Sequence, residues 1–322
     1  MDLRLKKIEI KNFKSFASEE FVFDLHYNRI EGKNGTGKST IYDAYMWCLY
    51  GCNSENESRF LFSPIGADEG ITTSVAVTIA DGTTYERRYC KGKYEYLISG
   101  DKVKASEYKS RIIGGVPQSV VECISSVWAI PSLSSSAVVK IMIDIYPSVI
   151  EIDREVFSLI EKENKKKTSL QAELANLSSE LSGMIELSSA MGIDAEKYIS
   201  AKGDAIADVK ASICECEEKV EKYNTQAAGV ICTILSFVSK GNIEWRYENG
   251  KVSLLYIGVP YSSLNRAKKM QCGVEICERL QCIVGITAPV FIDNAECATG
   301  GYQCGGQLVE IRATDSELNI VR

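Results

Sequence analysis

Nine consecutive residues carry chemistry most clearly. Gly32-Lys33-Asn34-Gly35-Thr36-Gly37-Lys38-Ser39-Thr40 fits the pattern G-x-x-x-x-G-K-[ST]. In that pattern the glycines let the backbone turn tightly with its N–H groups pointing inward. Those donors, the positive end of a helix beginning near Ser39 and the ammonium of Lys38 together suit the β- and γ-phosphates of a nucleotide. The Ser39 hydroxyl offers a hard oxygen to Mg²⁺, a cation that keeps several of its own waters. The other reading of the same residues is a glycine-rich turn that merely precedes a helix.

A metal held by Ser39 needs a carboxylate from the other side. Asp293, which closes the apolar run Pro289-Val290-Phe291-Ile292, is the candidate. Ser39 and Asp293 are therefore the expected Mg²⁺ ligands, and Asn34 to Thr40 the expected nucleotide contacts.

The elements that must hold these groups are legible as patterns. Tyr27 to Glu31 reads as the strand before the loop, and Ile41 to Tyr50 as a buried helix after it. Residues 3–13 alternate apolar and polar as a half-buried strand does, and Glu20 to Leu25 suggests a second strand. From Thr72 to Ile98 the chain reads as a meander, with strands at Thr73–Ile79, Thr84–Tyr89 and Tyr94–Ile98 around an Asp81-Gly82 turn and a Gly92 turn. An antiparallel sheet is thus expected after the first βα unit.

From about Glu151 glycine and proline thin out and the apolar spacing becomes heptad-like. Leu170, Leu174, Leu177 and Leu181 form one run; Ile206, Val209, Ile213, Cys216, Val220 and Tyr223 form another. Ser188 to Asp194, and Gly203 a little later, are places where the chain could reverse. Two antiparallel helices follow as the expectation, either a projecting coiled coil of roughly 50 to 65 Å at 1.5 Å per residue or an ordinary helical hairpin in the body. Strand signals then return at Ile243–Tyr247 and Val252–Tyr256 around Asn249-Gly250. Residues 264–283 look helical, and Gln307–Ile311 and Leu318–Val321 read as closing strands. The expected division is 1–150, 151–228 and 229–322.

Composition fits a soluble globular chain of 322 residues with 45% hydrophobic and 25% charged residues. Neither a membrane-length apolar run nor a signal-peptide core is visible, so a cytoplasmic protein with no membrane partner is expected. A formal net charge of −6 argues against a globally basic nucleic-acid binder. Lys162–Lys167 and Arg266–Lys269 remain either local contacts or solvated helix faces. The 12 cysteines include Cys214-Glu215-Cys216 and the ladder Cys272, Cys277, Cys282, but no C-x-x-C pair of a structural zinc site. They read as reduced, small apolar side chains.

With these motifs in place the chain resembles the ATPase heads of the SMC and SbcC-type DNA-repair proteins, relatives of ABC transporter ATPases. Ile8-Glu9-Ile10-Lys11-Asn12-Phe13-Lys14-Ser15-Phe16 is similar to the family's first strand, and Asn34 to Ile41 with Asp43-Ala44 to its phosphate loop and helix. The resemblance covers roughly residues 1–60 and 240–322, and matches the middle only in architecture. It implies an α/β, ABC-ATPase-like (P-loop NTPase) head, with a mixed sheet plus an antiparallel sheet and an inserted antiparallel coiled-coil hairpin.

By that resemblance Lys14 and Ser15 border the nucleotide. ATP is sandwiched between two heads, so a homodimer is implied, with DNA and a nuclease subunit as partners. The second head's signature loop would correspond to Leu264, Asn265, Arg266, Ala267 and Lys268. Asn265 could there replace a serine as γ-phosphate donor, or could simply cap its helix. Arg266 stands where the family has glycine, which opposes close backbone approach, though an arginine can reach phosphate.

Other departures bear on turnover. Asn294 follows Asp293 where the family has its water-activating glutamate; an amide can position a water but cannot take its proton. Glu296 is the nearest replacement, so Glu296 and Asn294 are the candidate catalytic residues. The sole histidine is His26, far from the family's position. Gln118 is the nearest glutamine to the Mg²⁺-sensing loop, whose place Val127–Pro131 occupies. Without a zinc hook, the hairpin implies a compact, phage-type member or a shortened one rather than a long-range tether. Two functions follow: an ATP-gated ATPase of DNA repair or recombination, or an ATP-binding scaffold with slow hydrolysis whose hairpin docks a protein. A small-molecule kinase lacks an evident acceptor site.

Overall fold

The computed structural model describes residues 1–66, 68, 70–145, 151–191, 196–248, 251–297 and 301–322. Contacts divide it into two units: Met1–Ile145 with Leu235–Arg322, and Tyr146–Ile234.

The first unit is built around one buried helix, α1 (Lys38–Leu49), in which every residue but Ser39 is buried. A helix buried on every side, with Ile41, Ala44, Tyr45, Met46, Trp47, Cys48 and Leu49 spread around it, belongs between two layers rather than on a surface. On one side it meets a four-stranded sheet ordered β11 (Val290–Asp293), β12 (Leu308–Ala313), β3 (Tyr27–Gly32) and β13 (Asn319–Val321). The first three strands run parallel and β13 is antiparallel to β3. The contact is aromatic: Tyr42 stacks on Phe291 at 4.2 Å between centroids, and Tyr45 lies 5.3 Å from the same ring.

On the other side α1 meets a six-stranded antiparallel sheet ordered β2 (Phe16–Val22), β1 (Leu5–Phe13), β4 (Thr73–Ile79), β5 (Thr84–Cys90), β6 (Lys93–Ile98) and β7 (Asp101–Val103). Trp47 reaches Phe13 there, 5.4 Å between rings. The meander is therefore as expected, and the chain's first two strands join the same sheet: β1 sits between β2 and β4. Alternation along a strand reports which face is buried and is silent about the partner. In β1 the buried residues Leu5, Ile8, Ile10 and Phe13 break the period of two twice: after Leu5, where the pairing with β4 shifts register, and after Ile10, where Asn12 takes a φ of +49°. The second strand begins at Phe16, earlier than Glu20, because Phe13 pairs directly with Phe16 across the Lys14-Ser15 turn.

The outer face of the mixed sheet is covered by α7 (Arg266–Val284), whose Met270, Val274 and Cys277 pack with Val290, Ile292 and Leu308. Val290 and Ile292 thus face α7 while Phe291 faces α1. By the same parity Asp293 points to the α1 side. Gly273 lets α7 lie directly on Val127, since a Cβ there would come within 2.3 Å of the Val127 carbonyl oxygen. The buried Gln307 side chain ties the sheets together, with its amide donating to Leu5 O at 2.7 Å and Asp24 O at 2.6 Å.

Short helices α2 (Ala105–Ile113), α3 (Gln118–Cys123) and α4 (Ser135–Ile145) follow the antiparallel sheet in the chain, and the buried Tyr108 of α2 packs against Tyr85 and Tyr96 of that sheet. The hairpin strands β8 (Ile243–Glu248) and β9 (Lys251–Tyr256) form a small sheet with β10 (Val259–Pro260). The expected Asn249-Gly250 turn lies outside the described residues.

The second unit contains α5 (Glu151–Met191) and most of α6 (Glu196–Val238), 41 and 43 residues long. Lys167 pairs with Glu217 at 2.6 Å and Lys202 with Glu180, so one helix is traversed forwards as the other runs back. Gly203 is not a reversal point, because it lies inside α6. A mid-helix glycine costs only about 1 kcal/mol relative to alanine, which a 43-residue helix packed on a partner absorbs. Of Ser188 to Asp194, Ser188 to Met191 are helical and the rest lie outside the described residues. Among the described residues no helix is long and apolar enough to cross a membrane.

Candidate functional site

The glycine-rich loop joins the end of β3 to the start of α1. Gly37 takes a φ of +95° immediately before the helix. A Cβ at Gly37 would lie 2.6 Å from the Phe16 ring, so only glycine fits this corner. The first turn of α1, Lys38-Ser39-Thr40-Ile41, carries no carboxylate, and among the described residues no side chain caps its N-terminus. Its first N–H groups and the positive end of its dipole therefore remain available to an anion.

Lys38 is buried, and its ammonium donates to the carbonyls of Gly32 at 2.7 Å and Lys33 at 2.8 Å. The loop thus holds its own cation in place. Thr36 closes the turn by donating its hydroxyl to Lys33 O at 2.9 Å.

β11 and β3 are parallel and separated only by β12, with Asp293 level with Ile311 and Ile311 level with Ile30. Their C-terminal ends therefore open on the same edge of the sheet, about 9.5 Å apart at the usual strand spacing. The first turn of α1 spans that gap. Ser39 Oγ donates to Asp293 Oδ2 at 3.2 Å, although 254 positions separate them in sequence. The other Asp293 oxygen accepts the Asn294 N–H at 2.8 Å, and Asn294 sits at a φ of +57°.

Around these groups lies a cavity of about 340 Å³. Of the expected nucleotide contacts, Lys14, Ser15, Asn34, Gly35, Gly37, Lys38, Ser39 and Thr40 line it; Thr36 does not. Asp293 and Asn294 also line it. Sequence reasoning left out three further lining residues, Asp43, Ile311 and Ala313. Asp43 lies one helical turn beyond Ser39, a spacing that places both on one face of α1 and was the available signal. Its Oδ2 pairs with Lys14 Nζ at 2.6 Å.

The remaining candidates lie elsewhere. Glu296 does not line the cavity; its Oε2 accepts a long 3.4 Å bond from the N–H of Ala313, which does. Gln118 opens α3, where its amide donates to Tyr50 O at 3.0 Å and Glu122 Oε1 at 2.6 Å. Val127–Pro131 is likewise off the wall, with Val127 buried against α7. His26 is at the opposite end of β12, its carbonyl accepting the Leu308 N–H at 2.8 Å. Asn265 caps α7, accepting from Lys268 N at 2.9 Å, while Asn265, Arg266 and Lys268 are exposed and outside this chain's cavity.

Two hard oxygens from separate elements, a buried ammonium and a set of free N–H groups suit a triphosphate with Mg²⁺. The cysteines take no part in this wall. Burial pushes the thiols of Cys52, Cys123 and Cys272 up to about 12, so they stay protonated. Cys214 and Cys282, in contrast, are exposed rather than packed.

A family model described as AAA domain matches residues 7–221. The chain is similar to the chromosome partition protein Smc of Fusobacterium nucleatum, 27% identical over 265 residues that cover 69% of this chain and 21% of that protein. It is also similar to the DNA double-strand break repair Rad50 ATPase of Archaeoglobus fulgidus, 45% identical over 47 residues, 15% of this chain and 5% of that protein. The chain therefore spans about a fifth or less of the length of these relatives. Among solved structures, the Smc head domain of Pyrococcus furiosus with an extended coiled coil, bound to the C-terminal domain of ScpA, superposes with a TM-score of 0.49 at 15% identity. That alignment covers 97% of this chain and 90% of the other.

Proposed function

Because the chain belongs to the AAA domain family and is an SMC- and SbcC-type, ABC-like ATPase head, we propose that it is an ATP-gated ATPase of DNA repair or recombination. The observation that carries this reading is the Ser39–Asp293 contact at 3.2 Å at the mouth of the phosphate loop. In this reading the loop N–H groups and Lys38 hold the β- and γ-phosphates. Ser39 and Asp293 would hold Mg²⁺, which when bound would supply charge neutralisation for the phosphates. Asn294 positions a water and Glu296, by a change of side-chain position, accepts its proton. Two copies close over two nucleotides, each presenting Leu264 to Lys268 to the other's phosphates, and closure changes the grip on DNA or on a nuclease subunit.

ATPase rates for wild type, Lys38→Ala and Glu296→Gln test the chemistry. The reading expects Mg²⁺-dependent turnover that both changes abolish. An unaffected rate in Lys38→Ala would remove the loop from the mechanism.

A second reading has its own support. Asn294 cannot take a proton, and Glu296 stands off the cavity wall. An ATP-binding scaffold with slow hydrolysis, docking a partner protein through its helical hairpin, fits those two facts. It expects nucleotide binding lost in Lys38→Ala, with little turnover in wild type.

A further inference from the structure

We infer that Asp43 is a positioning residue that fixes the ammonium of Lys14 in the cavity as a second cationic contact for polyphosphate, beside Lys38. The inference rests on the reading of this cavity as a nucleotide site. It extends that reading to a residue whose type, a carboxylate, would by itself repel phosphate.

Lys14 occupies the tight turn between β1 and β2, at a φ of +49° and with Phe13 paired to Phe16 on either side. Its N–H donates to Phe62 O at 2.7 Å, its ammonium lies 5.3 Å from the centre of the Phe60 ring, and Nζ is 2.6 Å from Asp43 Oδ2. Asp43 is fixed in turn. Its side chain is 8% exposed on α1, and its second oxygen accepts the Ser54 N–H at 2.9 Å. Backbone, ring and carboxylate therefore hold one lysine in one place.

A free lysine on a turn loses rotamer entropy when it is immobilised. Here that loss is taken on folding, so a ligand does not incur it again. An ammonium has three donors. One is used on Asp43, and the others remain for oxygens in the cavity, which both residues line together with Lys38, Ser39 and Asp293. Substituting Asp43 has two opposed effects: it frees Lys14 to wander, and it removes a negative charge from a phosphate site. The ammonium itself is hydrogen-bonded to the carboxylate, at 2.6 Å, whereas the Phe62 contact fixes only the backbone of Lys14, so the first effect is the larger.

The test is titration of the full chain with a fluorescent ATP analogue, comparing wild type, Lys14→Met, Asp43→Asn, the double variant, Lys14→Arg and Lys38→Ala. Lys14→Met and Asp43→Asn should each weaken binding roughly 5- to 20-fold, within the range of contacting pairs. The double variant should be no weaker than Lys14→Met alone, and Lys14→Arg should retain binding within about threefold. Additive losses, or tighter binding by Asp43→Asn, would overturn the inference and leave the nucleotide site standing. If Asp43→Asn fails to fold, Lys14→Met and Lys14→Arg still decide, because unchanged binding in Lys14→Met defeats it. Absence of saturable binding by wild type, or wild-type affinity in Lys38→Ala, would instead defeat the proposed function and this inference with it.

Discussion

The ammonium of Lys38 is aimed before any ligand arrives, since two loop carbonyls already hold it. Truncating it removes a charge-assisted contact and leaves those carbonyls without their donor. Lys38→Ala should weaken ATP at least about 100-fold by calorimetric titration, in line with charged hydrogen bonds of 1.5–3 kcal/mol lost in number. Gly37→Ala should act by shape alone: the new methyl meets the Phe16 ring at 2.6 Å and a φ of +95° disfavours any side chain. It should lower both the melting temperature and nucleotide affinity, and an unchanged melt would contradict the corner described here. At this scale the loop and Asp293 were legible because motif spacing and the apolar run that Asp293 closes are local. Asp43 offered only its spacing from Ser39 as a signal, because its importance depends on Lys14, which the turn between β1 and β2 brings to it. Asn265 was legible as one of two alternatives, and its side chain adopts the capping one.

The elements hold the site through two close approaches. Phe291 is stacked under Tyr42 and beside Tyr45, so it seats α1 on the strand that ends in Asp293. Phe291→Ala should cost about 3–5 kcal/mol, the range of large buried aromatics, read as a lowered denaturant midpoint. On the opposite face Gly273→Ala would drive a Cβ into the Val127 backbone at 2.3 Å, and backbone yields little. A loss of about 1–3 kcal/mol is expected there; a neutral melt would show that α7 can step back freely. The strands around these contacts were readable from alternation, as in β4, where every second residue is buried. The helices α2, α3 and α4 were not, because runs of 9, 6 and 11 residues offer too few turns for a 3.6-residue period to stand out. Nor does alternation tell which sheet a strand joins, so the placement of β1 beside β4 had no sequence signal.

At the scale of the whole molecule, residues 1–145 and 235–322 form one unit, and the phosphate loop and its carboxylate come from its two separate stretches. The exposed start of α7 belongs to the same unit, yet Asn265, Arg266 and Lys268 take no part in this chain's cavity. If a second copy supplies its phosphates to them, nucleotide binding and dimerisation are separable by mutation. Arg266→Glu should leave the affinity for ATP within about twofold, as for a surface change distant from the site. It should nonetheless abolish the doubling of mass that light scattering is expected to record when ATP and Mg²⁺ are added to wild type. Like-charge repulsion between a glutamate and a triphosphate is the cause, and it weakens as salt rises. A dimer that survives Arg266→Glu at low salt would place the partner's contact elsewhere, and a wild type that stays monomeric with ATP would favour the scaffold reading over the gated one.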